Sequence, residues 1–134
     1  MRYRRSVFIA GPMTGYAGYN RDAFFDMERK LKLAGFIVIN PAILPIGLGD
    51  SVIYLTITIP MVDLADVVVA LKGWERSAGA VQEIARALSD GKAVFYEGEN
   101  THKEGRQKEY QKDAETITRI VCEGCGNADS VLPS

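Results

Sequence analysis

The stretch DVVVALKGWERSAGAVQEIARAL, residues 66–88, decides the fold of this chain. Its first part, from Asp66 to Leu71, is apolar after the aspartate and predicts a buried strand. A polar turn with two glycines follows, and apolar residues then recur at helical spacing, at Val81, Ile84, Ala85 and Leu88. A strand, a glycine-containing turn and a helix N-terminus often bind an anion together, and Glu83 lies near the start of the predicted helix.

Strand and helix signals alternate along the rest of the chain. Apolar runs at 6–10, 36–39 and 92–96 predict three further buried strands. An amphipathic helix, with Asn20 as its N-cap and Gly35 just after its end, connects the first two. Its predicted core positions are Phe24, Met27, Leu31 and Leu33, and its predicted outer positions include Arg21 and Glu28. Successive β-α-β units imply parallel strands with right-handed crossovers.

Residues 51–64, SVIYLTITIPMVDL, are rich in β-branched side chains and favour a strand by propensity alone. They lie between two strands predicted to be parallel, and such strands need a crossover connection, usually a helix. We therefore predict a helix, which Pro60 either kinks or restarts after Thr58 as N-cap. The predicted fold class is α/β, a flavodoxin/Rossmann-like parallel sheet of four to five strands with helices on both faces.

The chain divides into an α/β domain, residues 1–98, and a polar helical tail, residues 99–134, that is peripheral or packs against a partner. The apolar positions that could form one face of a tail helix are Tyr110, Ala114, Ile117 and Val121. Three interpretations of Cys122 and Cys125 stay open: a redox pair, half of a zinc site shared by two chains, and two free thiols. We favour free thiols.

Composition argues against several classes of protein. A net charge of −1 produces no field that would attract a nucleic acid polymer or an anionic membrane. No apolar run reaches 18 residues, so no membrane-spanning helix is expected. No metal-ligand spacing is visible, so neither a metal nor a cofactor is expected. The basic start is followed by too short an apolar run for a signal peptide and is interpreted as the first strand. Two cysteines make no disulfide framework, which favours a cytoplasmic location.

Several motifs together resemble one family. They are FIAGPMTG at 8–15, Asn20 with Phe24, GF-V-NPA at 35–42, ADVVV at 65–69 and GWE-S-GA--E at 73–83. The chain is similar to small phage and bacterial proteins of the nucleoside 2-deoxyribosyltransferase superfamily, and within it to 2′-deoxynucleoside 5′-phosphate N-hydrolases. The resemblance covers residues 6–96 and leaves the tail unmatched.

The resemblance implies cleavage of the N-glycosidic bond of a (deoxy)nucleoside or its 5′-monophosphate. In such enzymes a glutamate attacks the anomeric carbon, and water or a second base then resolves the glycosyl ester; Glu83 matches this glutamate. Near a helix N-terminus its carboxylate should stay ionised. Ser77 and Gly79 match the phosphate-contacting serine and glycine of the family. The other expected substrate-binding or phosphate-binding residues are Gly11, Pro12, Met13, Thr14, Gly15, Asn40 and Trp74.

Two positions depart from the active enzymes of this superfamily. Many of those enzymes have a tyrosine where Phe8 stands and an aspartate where Thr58 stands. Threonine cannot be a general acid at neutral pH, and the loss of such a donor typically lowers the rate by about 10²–10⁴. The candidate replacements are Asp50, Asp63 and Tyr54 for the acid, and Tyr16 and Tyr19 for the phenol. Asp66 is expected to organise the sheet edge rather than to act in chemistry.

Three hypotheses about function follow. The first is an N-glycosidase or deoxyribosyltransferase with Glu83 as nucleophile. The second is a nucleotide-binding protein without turnover, such as a phage-type sponge for a nucleotide signal, which Phe8 and Thr58 favour. The third is a scaffold that binds no nucleotide. We expect a homodimer or larger homo-oligomer, with its interface on residues 43–64, in a bacterial or phage-infected host cytoplasm.

Overall fold

The computed structural model describes residues 5–99, 102–103 and 111–122 of the 134. Its strands are β1 (Ser6–Ala10), β2 (Ile37–Ile39), β3 (Val67–Ala70), β4 (Val94–Tyr96) and β5 (His102–Lys103). Its helices are α1 (Arg21–Leu33), α2 (Ser51–Leu64), α3 (Ala78–Ser89) and α4 (Gln111–Val121). Short 3₁₀ turns at Ala17–Asn20, Pro41–Ile43 and Trp74–Arg76 precede or follow these elements.

The strands form one sheet in the order β2-β1-β3-β4-β5. The first four strands are parallel, and β5 pairs antiparallel with β4. The order 2-1-3-4 is that of flavodoxin-like sheets, in which the strand order reverses between β1 and β3. The predicted α/β class, with a mostly parallel sheet, is therefore confirmed.

Alternate residues of each central strand point to opposite faces of the sheet, and each face carries its own core. Val7, Ile9, Val69 and Phe95 belong to the core under α1 and α4. Phe8, Ala10, Val68 and Val94 belong to the core under α2 and α3. Because β1 and β3 are covered on both sides, their side chains are all apolar apart from Ser6 at the start of β1.

Helix α2 confirms the crossover argument for residues 51–64. Asp50 caps it, since its Oδ1 accepts from the N–H groups of Val52 (3.1 Å) and Ile53 (3.3 Å). Pro60 lies inside the helix and does not end it, so Thr58 is an interior residue and not the N-cap of a second helix. Connecting two parallel strands requires a crossover, and this requirement outweighs the β-propensity of the segment.

Two predicted core positions are wrong. Strand β2 is at the edge of the sheet and not buried, and Ile37 is 48% exposed. Leu33 is 80% exposed, whereas Phe24, Met27 and Leu31 are buried as predicted. Two residues along a helix are separated by about 200°, so Leu33 cannot share a face with Leu31.

The buried face of α3 also differs from the predicted one. Only Ile84 of the four predicted positions is buried, whereas Val81, Ala85 and Leu88 are exposed. The buried face consists of Ala80, Glu83, Ile84 and Ala87. The sequence signal misleads here because the larger apolar residues lie on the outside, while small alanines fit against the sheet. Glu83 therefore belongs to the inner face of the helix.

The beginning of α1 is unusual. Asn20 precedes the helix in a left-handed conformation (φ 61°) and does not cap it with its side chain, contrary to the prediction. Its Nδ2 instead donates to the carbonyl oxygen of Pro12 at 2.9 Å. Gly35 ends the helix with φ 99°, as its C′ position requires.

Helix α4 packs on the sheet beside α1. Ile117 and Val121 are buried in the same core as Phe95, and Ala114 packs against that core. Tyr110 lies outside the described residues. Cys122 is disulfide-bonded, so the prediction of a free thiol is wrong at this position, and Cys125 lies outside the described residues.

Candidate functional site

A cavity of about 580 Å³ lies at the carboxyl ends of the parallel strands, where β1 and β3 diverge to different helices. The predicted site residues in its wall are Gly11, Met13, Thr14, Thr58, Ser77, Gly79 and Glu83. They come from the loop after β1, from α2 and from the start of α3. The fold therefore brings seven predicted residues from three separate segments into one wall.

Glu83 is the most buried charged residue of this wall, with 7% of its surface exposed. Burial raises the pKa of its carboxyl to about 7, and the Thr58 hydroxyl lowers that pKa by a smaller amount. Glu83 is the sixth residue of α3, in the second turn, whereas the field of a helix N-terminus acts mainly within the first turn. The prediction that Glu83 stays fully ionised is therefore wrong at neutral pH, because desolvation dominates.

Thr58 is 3% exposed and lies near Glu83 in the cavity wall. Its Oγ1 is near enough to affect the Glu83 carboxyl, yet the pair does not reach hydrogen-bond geometry. The Thr58 Oγ1 therefore has no hydrogen-bond partner among the described residues. A buried hydroxyl without a partner is uncommon and points to a group that completes the site.

The start of α3 is shaped for a polar ligand. The Ser77 Oγ accepts from the N–H of Ala80 at 3.1 Å, which leaves the hydroxyl hydrogen available to donate. A Cβ at Gly79 would meet nothing closer than the Ser77 Oγ at 3.9 Å. Gly79 is thus not required by internal packing, and its missing side chain leaves open space in the cavity wall.

The loop after β1 lines the cavity through Gly11, Met13 and Thr14, whereas Pro12 and Gly15 do not line it. Gly11 is required for packing, because a Cβ there would lie 2.9 Å from the Cβ of Leu71. The two glycines that line the cavity, Gly11 and Gly79, therefore have different reasons for lacking a side chain.

Several predicted site residues lie elsewhere. Phe8 is fully buried in the core under α2 and α3, and Tyr16 lies over Gly73, outside the cavity wall. Trp74 packs against Tyr96, with ring centroids 5.5 Å apart and planes at 40°, and is not part of the wall. As a stacking platform for a base in this cavity, it is poorly placed.

Asn40 and Asp66 have structural partners. The Asn40 Oδ1 accepts from the N–H of Ala42, and its Nδ2 donates to Glu28 Oε1, each at 2.8 Å. That carboxyl, predicted to be solvent-facing, is partly buried; burial acts to raise its pKa, but the Lys32 ammonium and the Asn40 amide together lower it.

Asp66 lies at the amino end of β3, where its Oδ2 accepts from the N–H of Ser6 at 2.9 Å. Its predicted role in organising the sheet edge is confirmed.

The cavity also contains residues that the sequence did not indicate. They are Tyr19 and Arg21 at the start of α1, and Leu44, Pro45, Ile46, Gly47 and Gly49 from the loop before α2. Arg21 was predicted to face solvent, yet its Nε is buried. The available signal was its position at the carboxyl edge of β1, where ligand-binding side chains collect.

The candidate replacement acids differ in position. Asp50 lines the cavity, although its Oδ1 already caps α2. Tyr54 also lines it, and its hydroxyl donates to the carbonyl oxygen of Pro45 and accepts from the N–H of Leu48. Asp63 lies outside the wall in an exposed pair with Arg86, whose guanidinium lowers the pKa of the Asp63 carboxyl.

Among residues 5–99, 102–103 and 111–122, no group of three or more His, Cys, Asp or Glu side chains could hold a metal ion. None of the helices in this part of the chain has the length and apolarity to cross a membrane.

Comparison with protein families identifies one match. Residues 5–96, more than two thirds of the chain, match the model of a domain of unknown function, DUF4406. No curated protein matches the chain. The matched segment runs from β1 to β4 and contains every cavity-lining residue described above. The chain therefore belongs to the DUF4406 family.

Proposed function

We propose that the protein cleaves the N-glycosidic bond of a (deoxy)nucleoside or its 5′-monophosphate, with Glu83 as the nucleophile. The observation that carries this proposal is the Glu83 carboxyl itself, buried in the wall of a cavity at the carboxyl edge of a parallel sheet. Structural carboxylates are rarely buried without a cation, whereas catalytic ones often are. The resemblance to the nucleoside 2-deoxyribosyltransferase superfamily supplies the reaction class.

In the proposed reaction a Glu83 oxygen bonds to the anomeric carbon as the C–N bond breaks. The bonding electrons leave with the base, which takes up a proton from solvent. Water then cleaves the glycosyl ester: its hydroxyl goes to the anomeric carbon, its proton returns to solvent, and the Glu83 carboxylate is regenerated. The transition state resembles an oxocarbenium ion. A poorly solvated carboxylate stabilises such developing positive charge more strongly than a hydrated one does, so the burial of Glu83 supports this role.

The groups around Glu83 could hold the rest of the substrate. The Ser77 hydroxyl and the open backbone at Gly79 are available to a phosphate or sugar oxygen. Met13 and Thr14 also line the cavity. A second nucleobase in place of water would convert hydrolysis into deoxyribosyl transfer without any change in these contacts.

The test is release of free base from a panel of ribonucleosides, deoxyribonucleosides and their 5′-monophosphates. We expect release by the wild type and a loss of about 10⁴-fold or more in Glu83→Gln. Glu75→Gln is the matched control, because Glu75 is an exposed glutamate outside the cavity. Since the nucleophile must be ionised, the rate should rise with pH through about 7 and then level off.

Two results would contradict the proposal. One is base release that survives in Glu83→Gln, which would assign the activity to another group or to a contaminant. The other is no release from any panel member at any pH between 5 and 9. A rate that instead falls as pH rises through about 7 would make Glu83 a general acid and not the nucleophile.

The second candidate is a nucleotide-binding protein without turnover, and one observation favours it. The hydroxyl near Glu83 belongs to Thr58, which cannot protonate a leaving base at neutral pH. Among the described residues of the wall, the only other carboxylate is Asp50, which already caps α2. This candidate predicts that a nucleotide raises the melting temperature while no base is released.

A homo-oligomer is part of the proposal, and its interface is expected on α2 and the loop before it. Helix α2 buries only Thr58 and Val62. The exposed apolar side chains on this surface are Ile43 (66%), Ile46 (53%), Val52 (67%), Ile53 (46%) and Leu64 (75%). Monomers rarely expose so large an apolar patch. Sedimentation analysis should find a dimer or larger species, and a monomer at micromolar concentration would contradict this.

A nucleotide substrate agrees with a bacterial or phage-infected host cytoplasm.

A further inference from the structure

Arg21 lies in the cavity wall with an unsatisfied guanidinium. Its Nη2 donates to the carbonyl oxygen of Leu44 at 2.8 Å, while its Nε is buried and has no partner among the described residues. Only two buried side-chain polar atoms of the described chain lack a partner, the Arg21 Nε and the Thr58 Oγ1, and both residues line this cavity. Native structures satisfy nearly all such atoms, so the occurrence of both exceptions in residues of one cavity wall marks this wall as a site for a polar ligand.

The charge of Arg21 is also uncompensated. The acidic side chains that line the cavity are Glu83 and Asp50. No cation is among the causes that shift the Glu83 carboxyl, and the Asp50 Oδ1 is engaged with the start of α2. The described structure contains no ion pair of Arg21, whereas Arg5, Arg29 and Arg86 each pair with an aspartate. A partly buried arginine without a carboxylate is suited to an anion from outside.

The backbone just before Arg21 has an unusual conformation that positions this residue. Tyr19 and Asn20 are the only non-glycine residues of the described chain with positive φ, at 56° and 61°. Such conformations cost on the order of 1 kcal/mol or more each and tend to persist where they position a functional group. The Asn20 side chain holds this turn by donating to the Pro12 carbonyl oxygen at 2.9 Å. The turn directs the chain so that the first residue of α1 reaches the cavity.

We infer that Arg21 binds a phosphate group of the ligand and thereby selects nucleotides over nucleosides. The inference rests on the proposed function for the nucleoside part of the ligand. The phosphate oxygens would accept from two guanidinium N–H groups of Arg21, the bidentate pattern that arginine forms with phosphate. Glu83 and Thr58 would then contact the sugar at the other end of the cavity.

The experiment is calorimetric binding of deoxynucleosides and their 5′-monophosphates in a Glu83→Gln background, so that no substrate is consumed. We expect the monophosphate to bind at least about 10-fold more tightly than the nucleoside. Arg21→Gln should weaken monophosphate binding by about 10- to 100-fold and leave nucleoside binding within about 2-fold. Arg21→Lys keeps the charge but not the planar fork, so it should restore only part of the preference.

Two control variants separate charge from loop structure. Arg29→Gln removes an exposed arginine of the same helix and should change neither affinity. Tyr54→Phe removes the hydroxyl that bonds to Pro45 and Leu48 in the loop before α2, without removing a charge. It should weaken the binding of nucleoside and monophosphate by the same factor, because it alters the loop that lines the cavity and not the phosphate contact.

The outcomes distinguish this inference from the proposed function. Equal affinity of nucleoside and monophosphate, equal weakening of both by Arg21→Gln, or no binding of any panel member would overturn the inference. If nucleoside and monophosphate bind equally, or if Arg21→Gln weakens both equally, Glu83-dependent base release would still sustain the proposed function. Arg21-dependent nucleotide binding without base release by the wild type would sustain the inference and remove the glycosidase.

Discussion

The polar groups at the two ends of the parallel sheet differ in how completely they are hydrogen-bonded. At the amino end, the Asp66 carboxylate accepts from the N–H and hydroxyl of Ser6, at 2.9 and 3.2 Å. At the same end, the Lys92 ammonium donates to the carbonyl oxygens of Val62 and Asp63 at the end of α2. At the carboxyl end, the Glu83 carboxyl is buried without a cation, and Arg21 and Thr58 retain unsatisfied buried atoms.

This difference separates stability from function within one small domain. Partners within the chain satisfy the polar groups of the amino end, so those groups stabilise the fold without any ligand. Polar groups at the carboxyl end are desolvated but incompletely paired, which lowers stability and prepares the cavity for a polar ligand. If this division is right, substitutions at the two ends should differ in their effects on stability and on ligand binding.

The first prediction concerns the cost of burying Glu83. Its carboxyl has a pKa of about 7 in the folded protein against an ordinary value of 4.5, so the folded state binds more protons between these two pH values. The free energy of unfolding should therefore fall as pH rises from 4.5 through 7, by up to about 3 kcal/mol. Glu83→Gln should remove this loss and be more stable than the wild type at pH 8.

Urea unfolding at pH 5 and pH 8 measures this effect, with Glu75→Gln as the exposed control. An unchanged pH dependence in Glu83→Gln would mean that the carboxyl is not desolvated in solution. A variant less stable than the wild type at pH 8 would place Glu83 among the stabilising groups and weaken the division.

The second prediction concerns the amino end. Asp66→Ala removes the acceptor of the Ser6 N–H and hydroxyl bonds, and should lower the free energy of unfolding by about 1–3 kcal/mol. Asp63→Ala is the matched control, because it removes an exposed aspartate paired with Arg86, and it should have little effect.

Denaturant midpoints measure the loss, and nucleotide affinity is the second readout. Ligand affinity of the folded Asp66→Ala protein should be unchanged, since Asp66 does not line the cavity. A large loss of affinity without a loss of stability would show that the two ends of the sheet are coupled.

The third prediction compares the two glycines of the cavity wall. Gly79→Ala should raise the free energy of unfolding by up to about 0.5–1 kcal/mol, because alanine favours the helix and meets only open space. It should also weaken ligand binding by occupying the cavity. Gly11→Ala should instead destabilise the protein, since its Cβ would lie 2.9 Å from the Cβ of Leu71.

Thermal melts with and without a nucleotide measure both effects of each variant. Destabilisation by Gly79→Ala would show that the backbone there needs glycine for folding. Tighter ligand binding in the same variant would place the ligand away from the start of α3.

The sequence predicted the order of the elements well, because strand and crossover signals constrain each other. Residues 51–64 illustrate this, since their composition favours a strand while their position between parallel strands requires a helix. The inner face of α3 was predicted less well. Val81 and Leu88 are large apolar residues, yet both are exposed, whereas alanines of the same helix pack against the sheet. Glu83 therefore lies on the buried face of the helix. Hydrophobicity alone does not reveal how close a helix lies to a sheet.

Only part of the candidate site could be predicted from the sequence. Ser77, Gly79 and Glu83 lie within one short segment, so local spacing together with the family resemblance could indicate them. Arg21 could not be found in this way, since a charged residue at the start of an amphipathic helix usually faces solvent. Its entry into the cavity depends on the left-handed turn at Tyr19 and Asn20.

The α/β class, the crossover helix and the position of Glu83 beyond the carboxyl edge of β3 could all be predicted from the amino-acid sequence. These properties follow from local periodicity and from chain connectivity, which the order of residues contains directly. Only the tertiary structure decided which polar groups are satisfied. The Asp66 carboxylate accepts from Ser6 of the neighbouring strand β1, while Arg21, Thr58 and Glu83 line an open cavity. Desolvation and hydrogen-bond pairing depend on groups distant in sequence, so only the folded chain specifies them.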